Sequence, residues 1–154
     1  MKIQRVLGLV LGFTLVGLTV GAQSKPDFSG TWKFEAAKSD PQMAPPGMQV
    51  PPDPAQLVIQ QTAAEMTIDN GAAKATFKLD GSDSTNSMNG IPVVTQTAWE
   101  GDTIVTRGSI KLPNMTIDFS DTRALSADGR VMTVTHHGKI ADMGEATRKL
   151  IFTK

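Results

Sequence analysis

Two adjacent histidines, His136 and His137, are the most conspicuous chemical groups of this chain. Imidazoles can bind metals or move protons, but adjacent residues of a strand face opposite sides, so both could enter one metal sphere only at a bulge. His136 has the same strand parity as Met132 and Val134, which predicts that it faces inward. There it could contribute to a soft-metal site suited to Cu(I), or it could be satisfied by a hydrogen bond. We predict no metal site.

Asp121 and Arg123 are the second candidate pair. On a straight strand both would face inward, where a charge pair is costly unless its members satisfy each other, and where they could line a polar cavity or position a ligand carboxylate. A bulge or strand end near Asp121 would instead bring them to solvent. The chain has no Ser nucleophile elbow, phosphate-binding loop or zinc-type His pair. We therefore assign no catalytic residue and no cofactor, and we predict that the protein is not an enzyme.

Strands must position these residues, because the chain is rich in short stretches of Val, Ile, Thr, Phe and Trp and has almost no helical period. Glycines in "LDGS" at 79–82, "WEGDT" at 99–103 and "SADGR" at 126–130 can take the positive φ of tight hairpin turns. Strands joined this tightly are antiparallel neighbours. The predicted strands span residues 28–35, 56–61, 64–69, 73–80, 92–99, 102–110, 115–125, 130–137 and 146–153.

These strands have one apolar and one polar face. Gly30, Trp32 and Phe34 share a face of the opening strand, and Phe77 and Phe119 belong to the apolar face of later strands. With no amphipathic helix to cover it, the apolar face must be buried against itself. Successive hairpins then favour an all-β, antiparallel up-and-down meander that closes into a barrel of about eight strands.

Residues 1–22 have the order of a secretory signal peptide: Lys2 and Arg5, then an uncharged apolar run, then small residues ending at Ala22. The apolar run is short for a membrane span, and an uncleaved anchor is the alternative. We therefore expect a periplasmic or secreted protein in which residues 23–154 form one domain, with no membrane contact after cleavage.

Fifteen Lys and Arg residues balance fifteen Asp and Glu residues, and the chain has no Cys. The leader carries two of the basic residues and none of the acidic ones, so the mature chain has a net charge of −2. This balance gives no electrostatic footprint for nucleic acid. The absence of Cys excludes disulfides, thiol catalysis and a thioether lipid anchor, and we expect a monomer held together by its core alone.

Residues 40–54, "DPQMAPPGMQVPPDP", contain six of the nine prolines and can form neither a helix nor a central strand. The segment is predicted to be a long, stiff loop after the first strand, partly in polyproline II. It could cover one end of the barrel, act as a linker, or present a recognition surface to an aromatic groove of a partner.

Gly30 and Trp32 in "SGTW", at the head of the predicted meander, resemble the Gly-x-Trp signature of the lipocalins and their relatives, the calycins. This resemblance implies a Trp at the closed end of the barrel, with an Arg of the last strand across its ring in a cation–π contact. Arg148 matches that Arg and Arg123 is the rival, so Gly30, Trp32 and Arg148 are predicted to close the barrel. Most of the mature chain is also similar to uncharacterised exported bacterial proteins that begin "DFSGTWK…KSD".

Two classes of function remain open. A barrel of this size has room for either a packed core or one small ligand, and the small residues at many inward positions favour the ligand. We expect a small, mainly apolar molecule inside the barrel, with candidate contacts at Phe77, Phe119, Asp121, Arg123 and His136. The alternative is a non-enzymatic interaction or inhibitor module that acts through its loops, with a filled barrel.

Overall fold

The computed structural model describes residues 24–42, 49–88, 90–141 and 143–154, so the predicted signal peptide and the middle of the Pro-rich segment lie outside the described residues. The described chain is all β apart from one turn of 3-10 helix at Ala36–Lys38, and it contains no helix long and apolar enough to cross a membrane. Its strands are β1 (Gly30–Phe34), β2 (Gln56–Gln61), β3 (Glu65–Asp69), β4 (Lys74–Lys78), β5 (Asp80–Met88), β6 (Ile91–Glu100), β7 (Thr103–Leu112), β8 (Met115–Leu125), β9 (Val131–Ile140) and β10 (Gly144–Thr153).

The ten strands form one antiparallel sheet in the order β4-β3-β2-β1-β10-β9-β8-β7-β6-β5. Neighbours in this order are consecutive in sequence except β1 and β10, which pair directly and place Phe34 opposite Phe152. The sheet curls until its two edge strands, β4 and β5, lie side by side. The predicted all-β antiparallel meander is thus confirmed as a nearly closed barrel, with ten strands where about eight were expected.

Two of the three predicted hairpin turns are confirmed. Between β6 and β7, Glu100 pairs with Thr103 and Gly101 has a φ of 60°. Between β8 and β9, Gly129 has a φ of 68° and donates its amide hydrogen to the carbonyl of Ser126. Glycine adopts such positive φ values without the steric strain that a side chain would cause.

The third predicted hairpin, "LDGS" at 79–82, is wrong, because β4 and β5 share no backbone ladder. The chain passes at Leu79 from one edge of the sheet to the other and enters β5, a strand that the sequence prediction missed. Gly81 lies in a bulge of β5 between Asp80 and Asp83. Since β5 reads "DGSDSTNSM", it has no apolar alternation that would identify it as a strand.

Side chains of β5 replace the missing ladder between β4 and β5, a contact that we call the seam. The Asn86 side-chain amide accepts a hydrogen bond from the Thr76 N–H at 2.9 Å and donates one to the Thr76 carbonyl at 2.9 Å. Ser84 Oγ accepts a hydrogen bond from the Lys78 N–H, also at 2.9 Å. The Asn86 side-chain amide thus supplies the hydrogen-bond donor and acceptor that a backbone residue of a paired strand would supply. The polar sequence of β5 therefore has a structural role.

Asn86→Ala should lower the free energy of unfolding by about 1 kcal/mol, because the Thr76 N–H and carbonyl lose their partners. The Thr76 amide hydrogen should also exchange with solvent faster than in the wild-type protein, which NMR-detected hydrogen exchange would measure. Thr85→Ala, at the neighbouring exposed position of β5, is the control and should change neither quantity. Unchanged exchange at Thr76 in Asn86→Ala would show that the seam does not depend on this amide.

Large side chains fill the end of the barrel near the start of β1, which we call the closed end. Phe28, Trp32, Ile59, Met66 and Phe152 are among its fully buried residues. The Trp32 Nε1–H donates a hydrogen bond to the Phe28 carbonyl at 2.8 Å, so the indole is buried with its polar group satisfied. Trp32 is therefore part of the packed core of this end.

The cation that packs on Trp32 is Lys154, and the prediction that Arg148 does so is wrong. Lys154 Nζ lies 4.5 Å from the centroid of the Trp32 ring and donates a hydrogen bond to the Ser29 carbonyl at 2.8 Å. Gly30 makes room for this side chain, since a Cβ at Gly30 would lie 3.2 Å from Lys154 Cε. The physical reason is position: Arg148 precedes Lys154 by six residues, about 20 Å of extended chain, and so lies toward the opposite end of the barrel.

Candidate functional site

The strands on the two sides of the barrel differ in length. β1–β4 have five or six residues, whereas β5–β10 have nine to eleven, so the long strands extend roughly 15 Å beyond the short ones. β1 pairs only with the last residues of β10, which places this overhang at the end opposite the closed end. Inner-face residues of the overhang are half-buried, whereas those near the closed end are buried. We call this surface the open-end face; it comprises Ile110, Ile117, Phe119, Gly138 and Ile140.

Three ionisable side chains lie on the inner surface where the closed end meets the open-end face. Asp121 Oδ1 lies 2.6 Å from His136 Nδ1, and Asp121 Oδ2 accepts a hydrogen bond from Arg123 Nη2 at 3.1 Å. Arg123 Nη1 donates a further hydrogen bond to Thr106 Oγ1 at 3.2 Å. We call Asp121, Arg123 and His136 the charged layer.

Strand register brings the charged layer together. Asp121 on β8 lies directly opposite His136 on β9 and Thr106 on β7. The pairing of β8 runs through Asp121 on both sides without a register shift, so of the two alternatives for Asp121 and Arg123 the structure has the inward one. Alternation along β9 turns the neighbouring His137 to the outer face, as the sequence predicts.

The carboxyl group of Asp121 is held in its ionised form. Burial by itself raises the pKa of Asp121, but the hydrogen bond with His136 and the charge of Arg123 outweigh burial and hold this pKa below its ordinary value. The Arg123 side chain is only 9% exposed, and its Nε–H has no hydrogen-bond partner among the described residues. A buried guanidinium with an unmatched donor costs free energy, so stability alone does not account for this arrangement.

His136 connects the charged layer to the open-end face. Its side chain is 40% exposed, and its ring stacks on Phe119 with centroids 6.4 Å apart and planes inclined by 24°. The Phe119 ring also covers Gly108, where a Cβ would lie 2.9 Å from it. Phe119 is thereby fixed between Gly108 and His136, and it gives the site an aromatic wall.

Four of the five ligand contacts predicted from the sequence lie in this site: Phe119, Asp121, Arg123 and His136. Phe77 is the exception and a correction, because it lies on β4 opposite Met66 and packs against the closed-end core. Its strand parity identified an inward side chain but not the end of the barrel to which it belongs. Sequence reasoning missed Thr106, although the tight turn between β7 and β8 sets the register that places Thr106 opposite Asp121.

Arg148 ties the two ends of the Pro-rich segment to β10. Its Nη1 and Nη2 donate hydrogen bonds to the two carboxylate oxygens of Asp53 at 3.0 and 2.8 Å, and Nη2 also donates to the Asp40 carbonyl at 3.1 Å. The Asp40 carboxylate accepts a hydrogen bond from the Lys149 N–H at 2.7 Å. These bidentate contacts give Arg148 an anchoring role that the sequence did not reveal, because Asp53 and Arg148 are 95 positions apart.

A second concave surface, the outer groove, lies on the opposite side of the same strands. It has a volume of about 850 Å³ and is lined mainly by outward-facing polar and charged side chains, among them Asp83, Arg107, Asp118, His137 and Lys139. Gly108 and Phe119, which belong to the inner face, also contribute to its lining. The two acidic residues each accept a hydrogen bond from a neighbouring side chain. No group of three or more His, Asp or Glu residues that could hold a metal ion occurs in the described ranges.

No protein-family model matches the chain, and no curated protein is significantly similar to it. Among solved structures, the chain is similar to that of a secretory abundant heat soluble (SAHS) protein from Ramazzottius varieornatus. The TM-score is 0.47, the sequence identity is 17%, and the match covers 64% of this chain and 69% of that chain. The fold described above is defined by the strand ladders of this chain itself.

Proposed function

We propose that this chain is an exported, non-enzymatic binding protein for a small, mainly apolar ligand. The ligand lies on the open-end face against Phe119 and extends to the charged layer beside His136. The closed end, filled by Trp32 and its neighbours, is the rigid base of the site. In this proposal the protein works as a monomer in the periplasm or outside the cell, after removal of residues 1–22.

One observation carries the proposal: a half-exposed apolar surface on the inner side of the barrel ends at three ionisable groups held in fixed geometry. Small-molecule sites are typically concave and mainly apolar, with a few precisely placed polar groups. Ile117 lies directly between Ile110 and Ile140, so the apolar surface is continuous across three strands. Phe119, one residue pair nearer the charged layer, supplies the largest contact area.

The charged layer supports a binding role because it is an inefficient way to stabilise a barrel. Replacing buried ion pairs by packed apolar residues is often neutral or stabilising. Val134, which lies opposite Arg123 and is buried, indicates that apolar side chains fit at this level of the barrel. A carboxyl group with a lowered pKa beside an accessible surface is also typical of functional sites.

The outer groove favours a second candidate function, a module that binds another protein through its surface. The closed end is filled, as this alternative requires, and the outer groove offers charges of both signs to a partner. The Pro-rich segment, whose ends Arg148 holds against β10, would be a further contact surface in that case. The two candidates place the ligand on opposite faces of the same strands. Phe119 contributes to both surfaces, whereas Val94 lines the outer groove alone, so a Val94 variant distinguishes the candidates.

N-phenyl-1-naphthylamine, an apolar dye that fluoresces when it leaves water, tests the proposal by titration. Phe119→Ala should weaken dye binding about tenfold, because the aromatic wall of the open-end face is lost. Val94→Ala removes an exposed apolar side chain from the outer groove and should leave the affinity unchanged. Weaker binding in Val94→Ala but not in Phe119→Ala would favour the outer groove and contradict the proposed site.

A further inference from the structure

We infer that the open end of the barrel docks reversibly on the surface of a neutral lipid bilayer. The contact is made by apolar residues at the tips of three hairpins, which we call the rim: Met88, Ile91, Leu112, Met115 and Met143. This inference rests on the proposed function and names the source of its apolar ligand. The sequence led us to expect no membrane contact after cleavage, because the rim residues are dispersed in the chain and come together only in the fold.

All three tips lie at the open end, because every second turn of an antiparallel meander lies at the same end of the sheet. The β6–β7 turn belongs to the closed end, where the Gly101 carbonyl accepts a hydrogen bond from Lys25 Nζ at 2.7 Å. The β8–β9 turn is at the same end, where the Arg130 carbonyl accepts a hydrogen bond from the Lys154 N–H at 3.1 Å. The β5–β6, β7–β8 and β9–β10 turns are therefore neighbours at the open end, about 10 Å apart along the sheet.

The rim contains the two most exposed methionines that the structure describes. The most exposed large apolar side chains in the described ranges are Met143, Val94, Met88 and Val58, at 52, 47, 41 and 37%. Both valines lie within strands, whereas both methionines lie at the tips of hairpins. Exposed apolar side chains gathered at one end of a protein mark a contact surface for a membrane or another protein.

An apolar path leads from the rim to the proposed site. Leu112 and Met115 lie directly opposite each other, and the next inward pair along the same two strands is Ile110 and Ile117. Phe119 follows about 7 Å further along β8. A ligand that enters at the rim therefore meets only apolar side chains of β7 and β8 before it reaches Phe119. A mainly apolar molecule partitions into lipid rather than water, so a rim that rests on a bilayer places this entrance beside the ligand.

The shape of the rim fits a lipid surface better than a second copy of the chain. Its tips are separate projections about 10 Å apart. Two copies that met rim to rim would touch only at these points, whereas a stable protein interface buries roughly 1,200 to 2,000 Å². Separate apolar tips can enter a fluid lipid surface independently, and the flexible side chains of Met88, Met115 and Met143 adapt to irregular surroundings.

The charges near the rim favour neutral over anionic lipid. Lys111 and Lys139 are exposed on the outer face of the overhang. Lys139 lies directly between Asp118 on β8 and Glu145 on β10, so two acidic residues balance the two lysines. Asp142, which lies outside the described residues, adds a negative charge to the sequence of the third turn. No positive excess remains to attract anionic headgroups, so docking depends on apolar contact and not on salt.

Flotation with lipid vesicles tests the inference. The mature protein, isolated after export without residues 1–22, should float with phosphatidylcholine vesicles at least as strongly as with phosphatidylglycerol vesicles, and added salt should not release it. Met88→Gln combined with Met143→Gln should lower the partition coefficient at least about tenfold, because two apolar side chains no longer enter the lipid. Val58→Thr combined with Val94→Thr is the matched control, because it replaces two comparably exposed apolar side chains away from the rim, and it should leave the partition coefficient unchanged.

Three results would overturn the inference: a wild-type protein that stays unbound at every lipid concentration, equal weakening in both double variants, or stronger binding to phosphatidylglycerol that salt removes. Sedimentation without lipid adds a fourth, because a dimer that the Met88 and Met143 substitutions dissociate would assign the rim to a second copy. Titration with N-phenyl-1-naphthylamine without vesicles tests the proposed function separately. If Phe119→Ala weakens dye binding although no vesicles are bound, the proposed function stands; if the dye does not bind the wild-type protein, the proposed function fails, and flotation still decides whether the rim docks on lipid.

Discussion

Trp32→Ala should lower the free energy of unfolding by about 3 to 5 kcal/mol, a large part of the roughly 5 to 15 kcal/mol that stabilises a domain. Trp32 is fully buried, and its Nε1–H donates to the Phe28 carbonyl, so the substitution removes both core contacts and a buried hydrogen bond. Urea unfolding followed by circular dichroism would measure the change. A loss below about 1 kcal/mol would show that Trp32 is not part of the packed core.

The cation on Trp32 can be identified with a double-mutant cycle. Trp32→Ala and Lys154→Met should be coupled by about 0.5 to 1 kcal/mol, because Lys154 Nζ lies 4.5 Å from the ring centroid at an exposed site. Methionine keeps an apolar stem over Gly30, so the cycle isolates the charge. Trp32→Ala and Arg148→Ala should be additive, since Arg148 binds Asp53. Coupling to Arg148 and none to Lys154 would contradict this assignment.

Asp121→Asn should lower the free energy of unfolding by about 3 kcal/mol, because it leaves the guanidinium of Arg123 buried without a carboxylate partner. Replacing Arg123 by Met in the same protein should restore part of this loss, because the unmatched charge is then absent. Asp118→Asn, at an exposed outward position of β8, is the control and should cost less than about 1 kcal/mol. A similar cost for both Asp substitutions would mean that the charged layer has no special role in stability.

The contribution of Asp121 should also depend on pH. Its pKa is lower in the folded protein than in the unfolded chain, so ionised Asp121 stabilises the fold above the ordinary carboxyl pKa near 4 and stabilises it less as the pH falls through the folded pKa. The difference in stability between wild type and Asp121→Asn should therefore shrink below about pH 4. Unfolding measurements between pH 2 and about pH 6 would detect this trend, and a difference that grows on acidification would contradict it.

The sequence predicts the strands of the barrel well where buried apolar residues alternate with polar ones. It fails where side-chain hydrogen bonds replace the hydrogen bonds between two backbones. The β6–β7 and β8–β9 hairpins have inward apolar residues and tight turns, and both turns are predicted from the sequence. β5 was missed because its polar residues face the seam, where Asn86 and Ser84 bond to the backbone of β4. The spacing of apolar residues, from which strands are predicted, does not reveal such hydrogen bonds.

The candidate site shows the same division. Strand parity indicated that Asp121, Arg123 and His136 face inward, and the turn at 126–130 sets the register that pairs Asp121 with His136. The sequence could not reveal that Arg148 binds Asp53 or that Lys154 covers Trp32, because both contacts join residues far apart in the chain. Such contacts depend on how the barrel closes, which no local pattern specifies.

NMR of isoleucine δ1-methyl and valine methyl groups during titration with N-phenyl-1-naphthylamine tests the proposed site most directly, because these side chains lie on every relevant surface. Ile110, Ile117 and Ile140 belong to the open-end face, Ile59 and Ile104 are buried in the closed-end core, and Val94 lies on the outer groove. The proposed function predicts saturable shifts at the three open-end isoleucines and little change at the core and groove positions. Shifts confined to Val94, or confined to Ile59 and Ile104, would contradict it.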